Sequence, residues 1–229
     1  MALQNLSASH NFYVGANLGL NTMVGKRNDS ANNRNNSKAQ FTDSKAVNTN
    51  SVYGGIFTGY LFRINNFGVG PEFFYNYGNI ESTISGRHVD NPPLGGGDVT
   101  VFDVKYRMVS QYGINARFAY FLESYLLYTL LGIQFQSGNF QVKAKQDRGV
   151  QNLPEKDHRT KFKSTNGFSF GFGAQKQINE NYDIGLEYKL TNFPRKNFEF
   201  NLDDVELTKL TSNIKYKIHS IGLRFIYKF

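Results

Sequence analysis

The side chains of this sequence best suited to proton transfer near neutral pH are four histidines, His10, His88, His158 and His219. A hydrolytic centre would need one of them beside an orienting carboxylate and a nucleophile, all within hydrogen-bond reach. His219 and Ser220 are adjacent, so on a strand their side chains point to opposite faces. His88 with Asp90, and Asp157 with His158, fall in polar stretches where solvated residues are the ordinary outcome. The chain has no cysteine, which removes thiol nucleophiles, thiolate metal sites and disulfides. The glycine run Gly95–Gly97 leads into no helix pattern, and no metal, nucleotide or dinucleotide motif is present. No enzyme is expected, no cofactor, and no nucleic-acid partner.

Four other charges have a more informative spacing. Gly59 through Glu72 reads GYLFRINNFGVGPE and Gly173 through Glu187 reads GAQKQINENYDIGLE, while INARFAY from Ile114 echoes IGLRFIY from Ile221. The echo makes Glu72 and Arg117 the counterparts of Glu187 and Arg224. If these segments are neighbouring strands, each Glu and Arg pair lies at a similar height and can cross-link its strands. Such charges must be paired or watered, because one left alone in a narrow interior costs several kcal/mol.

The elements that would hold them alternate with a period of two, eight times over. Large apolar positions are Phe12 to Leu20, Phe67 to Tyr77, Tyr112 to Tyr120, Tyr125 to Phe135, Phe168 to Ala174, Tyr182 to Leu190 and Ile221 to Phe229. A further segment at about Val52 to Phe62 has the least clear phase. The intervening positions are rich in Gly, Asn, Gln and Ser. Arg63–Asn66, Leu122–Ser124 and Ile178–Asn181 read as tight turns. The connections around Asn33, Pro92, Leu153 and Asp203 are expected to be loops of about twenty residues or more, a short-and-long alternation that outer-membrane barrels share.

A soluble barrel would place the bulky set inside. An eight-stranded barrel has an interior only just wide enough for its side chains, too narrow for five large apolar groups from every strand. The bulky set therefore faces outward, into lipid. Phe12, Tyr60, Phe62, Phe67, Tyr120, Tyr125, Tyr182, Tyr227 and Phe229 gather beside the short-turn rim as an aromatic girdle. Segment lengths match the ~9 to 11 residues of a tilted spanning strand, and no apolar run approaches the ~18 residues of a spanning helix. Pro71 is awkward, since it removes a ladder hydrogen bond from a strand with two neighbours.

The fold class expected is thus all-β, an eight-stranded antiparallel transmembrane β-barrel with short periplasmic turns, long extracellular loops and both termini periplasmic. One domain spans residues 1–229, with 1–10 a flexible N-terminus. Met1–Asn5 lacks the charged and apolar blocks of a signal peptide and reads as a processed or engineered start. The net charge of +8 is concentrated in two segments expected to be loops. Val24 to Asn50 carries Lys26, Arg27, Arg34, Lys38 and Lys45 against Asp29 and Asp43. Gln141 to Lys163 carries Lys143, Lys145, Arg148, Lys156, Arg159, Lys161 and Lys163 against Asp147, Glu155 and Asp157. Lacking apolar periodicity, the latter is expected to be mobile and to carry ligand binding.

From Phe12 to Phe229 the sequence resembles the small outer-membrane β-barrel superfamily, comprising the OmpA-type transmembrane domain and the OmpX- and Opa-like barrels. The resemblance rests on INENYDIGLEYKL from Ile178 and on the terminal strand HSIGLRFIYKF from His219, which ends on Phe229. Unlike complete OmpA proteins, the sequence shows no peptidoglycan-binding domain after its last expected strand. The resemblance implies a Gram-negative outer membrane and recognition of the C-terminal strand by the barrel-assembly machinery. It implies contact with lipid and lipopolysaccharide, and a structural, adhesin-like role engaging host-surface, matrix or envelope ligands. A narrow pore for small solutes is the alternative, and a lipid-modifying or proteolytic barrel enzyme the third class.

Overall fold

Each expected segment supplies alternating side chains that suit lipid on one face and a crowded lumen on the other, and each becomes a strand. The computed structural model describes residues 8–33, 41–89, 99–147, 156–201 and 207–229. Eight strands form: β1 (Ala8–Asn33), β2 (Phe41–Ile64), β3 (Phe67–Val89), β4 (Val99–Leu122), β5 (Tyr125–Asp147), β6 (Lys156–Gln177), β7 (Tyr182–Asn201) and β8 (Leu207–Lys228). All are antiparallel to their neighbours, and β8 pairs with β1 to close the barrel.

The register fixes the shape. Stepping across the ladders from Tyr13 leads through Gly59, Glu72, Asn115, Gly132, Ser169, Thr191 and Ile218, and returns to β1 at Met23, ten residues above the start. With ordinary strand spacing and rise, that stagger sets a tilt of about 40° and about 2.5 Å of height per residue. The apolar band of an outer-membrane barrel, ~25 Å tall, then takes about ten residues of each strand. The strands run 20 to 26 residues, so roughly half of each lies beyond it.

Facing follows the expected phase within the band. Leu18, Ile56, Phe73, Phe118, Leu131, Phe170, Leu186 and Phe225 are exposed outward, and Tyr13, Glu72, Asn76, Gln134, Ser169 and Arg224 are buried inward. The second strand's phase is now defined, with Tyr53, Phe57 and Leu61 inward against Val52, Ile56 and Tyr60 outward. Pro71 sits where the β2–β3 ladder is interrupted, between Gly59↔Glu72 and Phe62↔Val69, while its pairing with Ala116 on β4 continues. Gly70 beside it is required, because a Cβ there would run into the Tyr60 carbonyl.

The expected loops need correction. Residues 24–33 and 41–50 are strand, and of the basic stretch 141–163 only 148–155 falls between strands. The alternation fails there for a physical reason: beyond the apolar band neither face meets lipid, yet ladder hydrogen bonds hold whatever the side chains. Bulges add to this. Irregularities at Tyr77/Ile80, Met108/Ser110, Gln136/Gly138 and Phe193/Lys196 form a ring at one level just above the band. On β4 the bulge exchanges the faces: Tyr112 and Ile114 are exposed, whereas Tyr106 and Met108 are buried. At the N-terminus, Ala8–His10 pair with Phe62–Ile64 in β1, and residues 1–7 lie outside those described.

Above the bulges the barrel divides. The β2–β3 ladder ends at Tyr53↔Gly78 and the β6–β7 ladder at Phe168↔Asn192, while the other six continue to the far ends of their strands. The two open seams are four strands apart and at about the same height. Two curved sheets therefore rise from the barrel, β7-β8-β1-β2 and β3-β4-β5-β6.

Candidate functional site

The four charges read from the sequence meet in one layer of the lumen. β3 carries Glu72, β4 Arg117, β7 Glu187 and β8 Arg224, all between 1% and 8% exposed. Arg117 Nη1 lies 3.3 Å from Glu72 Oε2, and Arg224 Nη1 contacts Glu187 Oε2, so both expected pairs are present. The arrangement goes further than two pairs. Arg224 Nη2 also donates to Glu72 Oε2 across the barrel at 2.6 Å, joining the four residues into one network.

Two tyrosines that the sequence reading did not single out complete it. Tyr13 donates to Glu72 Oε2 and Tyr128 to Glu187 Oε2, each at 3.0 Å and each across 59 residues of sequence. The internal echo is thus a structural half-turn, repeating tyrosine, glutamate and arginine four strands on. Gly59 and Gly173 are equivalent in it, because a Cβ at either would meet the phenol of Tyr13 or Tyr128. The guanidinium of Arg117 lies 4.0 Å from the Tyr128 ring centroid, and that of Arg224 3.7 Å from Phe57. These contacts partly replace the water both cations have lost.

A fifth buried charge, Lys189, sits one layer higher with its ammonium 3.8 Å from the Phe74 ring centroid. Among the described residues no carboxylate lies within ion-pair distance of it. The two layers together therefore hold three buried cations and two carboxylates, with aromatic faces supplying part of the balance.

Packing closes the lumen on both sides of this network. Towards the short-turn rim, Leu61, Ala119, Leu126 and Ile226 form a buried apolar collar, with Phe121 against it and Arg63 stacked on Phe121 at 4.1 Å. A vestibule of about 260 Å³ at that rim reaches Arg117 and Tyr13. Towards the other rim lies a polar belt, in which Asn17 donates to Asn76, Thr191 to Gln134 and Ser220 to Asn21. Above it, Met23, Ile80, Met108, Phe193, Ile214 and Ile218 fill the space between the two sheets. There Tyr106 donates to Tyr216 at 3.2 Å and Tyr216 to Gln136 at 3.0 Å, tying sheet to sheet. The collar and this upper plug were absent from the sequence reading. Their signal was available in the alternation of Ile214, Tyr216 and Ile218 with Lys215 and Lys217.

The girdle residues fall within about 7 Å of one height by the same register. Phe12 and Phe229, Phe67 and Tyr120, and Tyr182 and Tyr227 touch, with ring centroids 5.0 to 5.3 Å apart. Tyr60 and Tyr125 are exposed on the same side, and Phe62 is half-buried. Of the basic stretch, Lys143 and Lys145 lie on β5 and Lys156, Arg159, Lys161 and Lys163 on β6, while Arg148 is outside the described residues. His88 lies on β3 and Asp157 and His158 on β6, with Asp90 outside the described residues. Tyr188 and His219 Nδ1 share a 2.7 Å hydrogen bond, and Ser220 points away from that pair to Asn21.

An exposed apolar belt around a closed eight-stranded barrel, bordered by aromatics and filled with paired charge, defines an integral outer-membrane barrel. Comparison with protein families agrees: the chain belongs to the outer membrane protein beta-barrel domain family, which matches residues 1–229. Comparison with curated proteins finds no match. Among solved structures it is similar to the outer membrane protein OprG of Pseudomonas aeruginosa, at 12% identity and a TM-score of 0.54 over 97% of both chains. Lesser likeness links it to the outer membrane protease OmpT of Escherichia coli, at 12% identity and 0.44 over 100% of both chains. Ail of Yersinia pestis, in complex with the heparin analogue sucrose octasulfate, matches at 17% identity and 0.29, over 93% of this chain and 99% of that one.

Proposed function

We propose that this chain is a surface-display protein of the outer membrane, whose barrel anchors two projecting sheets that bind ligands outside the cell. In this reading the termini and short turns face the periplasm, and the sheets and their connections face outward. One observation carries it: the lumen is closed by collar, ion network and apolar plug, while about half of every strand stands beyond the lipid belt. A conducting role would want the opposite distribution, with an open interior and strands no longer than the membrane needs. The projecting part contains the stretch 141–163 with its seven cations, suited to anionic ligands such as host glycans, matrix proteins or envelope phosphates.

The test pairs two measurements on refolded protein. Planar bilayers should show no resolvable single-channel steps, and the folded protein should bind intact host cells, matrix proteins or lipopolysaccharide. Steady conductance without binding would overturn the proposal in favour of a pore.

A further inference from the structure

Lys26 on β1 and Lys215 on β8 are direct cross-strand partners, and Lys217 is paired with Val24 one step closer to the lipid belt. All three lysines are exposed, and Arg195 is exposed on the adjoining β7. Like charges placed opposite one another destabilise a ladder unless a counter-charge is supplied. Among the described residues none is supplied here. On the far side of the barrel the cations at this level do have partners: Lys105 is 2.6 Å from Glu81, and Arg107 donates to Asn79 at 2.8 Å.

The height of the patch decides what its counter-charge is. By the register, Lys217, Lys215 and Lys26 stand about 4 to 12 Å above the upper edge of the apolar belt. Val24 is outward beside Lys217; the next pair down is Thr22 and His219, both half-buried, and below it Leu20 and Ile221, outward and roughly half exposed, begin the apolar belt on the same strands. A molecule that lays acyl chains on that belt carries its headgroup past Thr22 and His219 to the lysines. We propose that Lys26, Lys215 and Lys217, with Arg195, form a clamp for the phosphates of a lipid A headgroup in the outer leaflet. It rests on the outward orientation proposed above, but not on what the projecting sheets bind.

The experiment uses the whole chain in nanodiscs containing lipid A with both phosphates, dephosphorylated lipid A, or phosphatidylcholine alone, and counts retained lipid by native mass spectrometry. Bisphosphorylated lipid A should be retained preferentially. Lys26→Gln, Lys215→Gln and Lys217→Gln should weaken retention by roughly fivefold for each lysine removed, while Arg107→Gln on the partnered side leaves it unchanged. Heat-modifiable gel mobility checks that each variant is folded. Equal retention of dephosphorylated lipid A, or of lipid A by the triple variant, would overturn the clamp. So would tighter binding of inorganic polyphosphate than of lipid A, which would make the patch a site for soluble polyanions. Labelling Lys26→Cys from outside intact cells separates failure of the orientation from failure of the clamp.

Discussion

Arg224 on β8 reaches across the lumen to Glu72 on β3, with Nη2 2.6 Å from Oε2, while its Nη1 holds Glu187 on the neighbouring β7. One guanidinium thus ties two opposite walls of the barrel. Glu72 keeps a second partner in Arg117, but Glu187 has no other arginine within ion-pair distance among the described residues. The network is therefore unequal, and the inequality can be measured.

Arg224→Met should be the most damaging single change in the lumen. It strands Glu187 in a buried layer, and breaking a buried pair from one side costs about 3–5 kcal/mol. Adding Glu187→Met should recover a large part of that loss, since the remaining Glu72 and Arg117 still pair. Urea unfolding in detergent, followed by the heat-modifiable gel shift, measures both. If the double variant is no more stable than Arg224→Met alone, the charges do not act as pairs.

The glycines that admit the two phenols should be intolerant of even one carbon. Gly59→Ala places a methyl against the Tyr13 ring, and overpacking of this kind costs about 1–3 kcal/mol. Gly54→Ala, on the same strand, meets nothing nearer than 3.7 Å and should cost much less. The same unfolding assay compares the two. Equal stability of the variants would mean that the phenol does not occupy the position assigned to it.

What the sequence disclosed, and what it withheld, follows from where lipid is. Between Phe12 and Leu20 or Ile221 and Phe229 one face must be apolar and the other small, so the period of two is plain. Glu72, Arg117, Glu187 and Arg224 could be placed in the lumen because they break the small-residue face at matching heights. The phase of the alternation puts Tyr13 and Tyr128 on the small-residue face, apart from the girdle tyrosines, but only the register shows their hydroxyls on the two glutamates. Beyond the band, Lys105, Tyr106, Arg107 and Met108 alternate too, but a bulge at Val109 inverts their phase, so the strand reads as loop. The gaps beside β2 and β6 are legible in no local pattern, because pairing belongs to two strands at once.

Hydrogen exchange should reveal the open seams. Between Asn79 and Val89, β3 has a ladder partner only in β4, so the amides directed towards β2 have none there. Every second amide of this stretch should exchange rapidly. Met23 to Ala31 of β1, paired on both sides, should be protected throughout. Residue-resolved exchange by NMR in micelles tests this, and uniform protection along β3 would require a strand partner to occupy the seam.

The last prediction concerns the basic stretch, whose upper part is a projecting hairpin of β5 and β6. The two strands remain paired from Ala144↔Lys156 down to Tyr125↔Lys176, so the pairing within the membrane does not depend on the tip. Joining Gln141 to Arg159 through a short Gly-Ser turn removes Lys143, Lys145, Arg148 and Lys156 while preserving every ladder below. The shortened protein should fold and keep its heat-modifiable mobility. Its binding to cells or to anionic polymers should fall, and the residual binding should depend less steeply on salt, because exposed charges are screened over ~8–10 Å at physiological ionic strength. The readout is binding across a salt series for the full and shortened chains. Unchanged affinity and salt slope would remove this hairpin from the binding surface and direct attention to the first basic segment, where Arg27 and Lys45 are paired across β1 and β2.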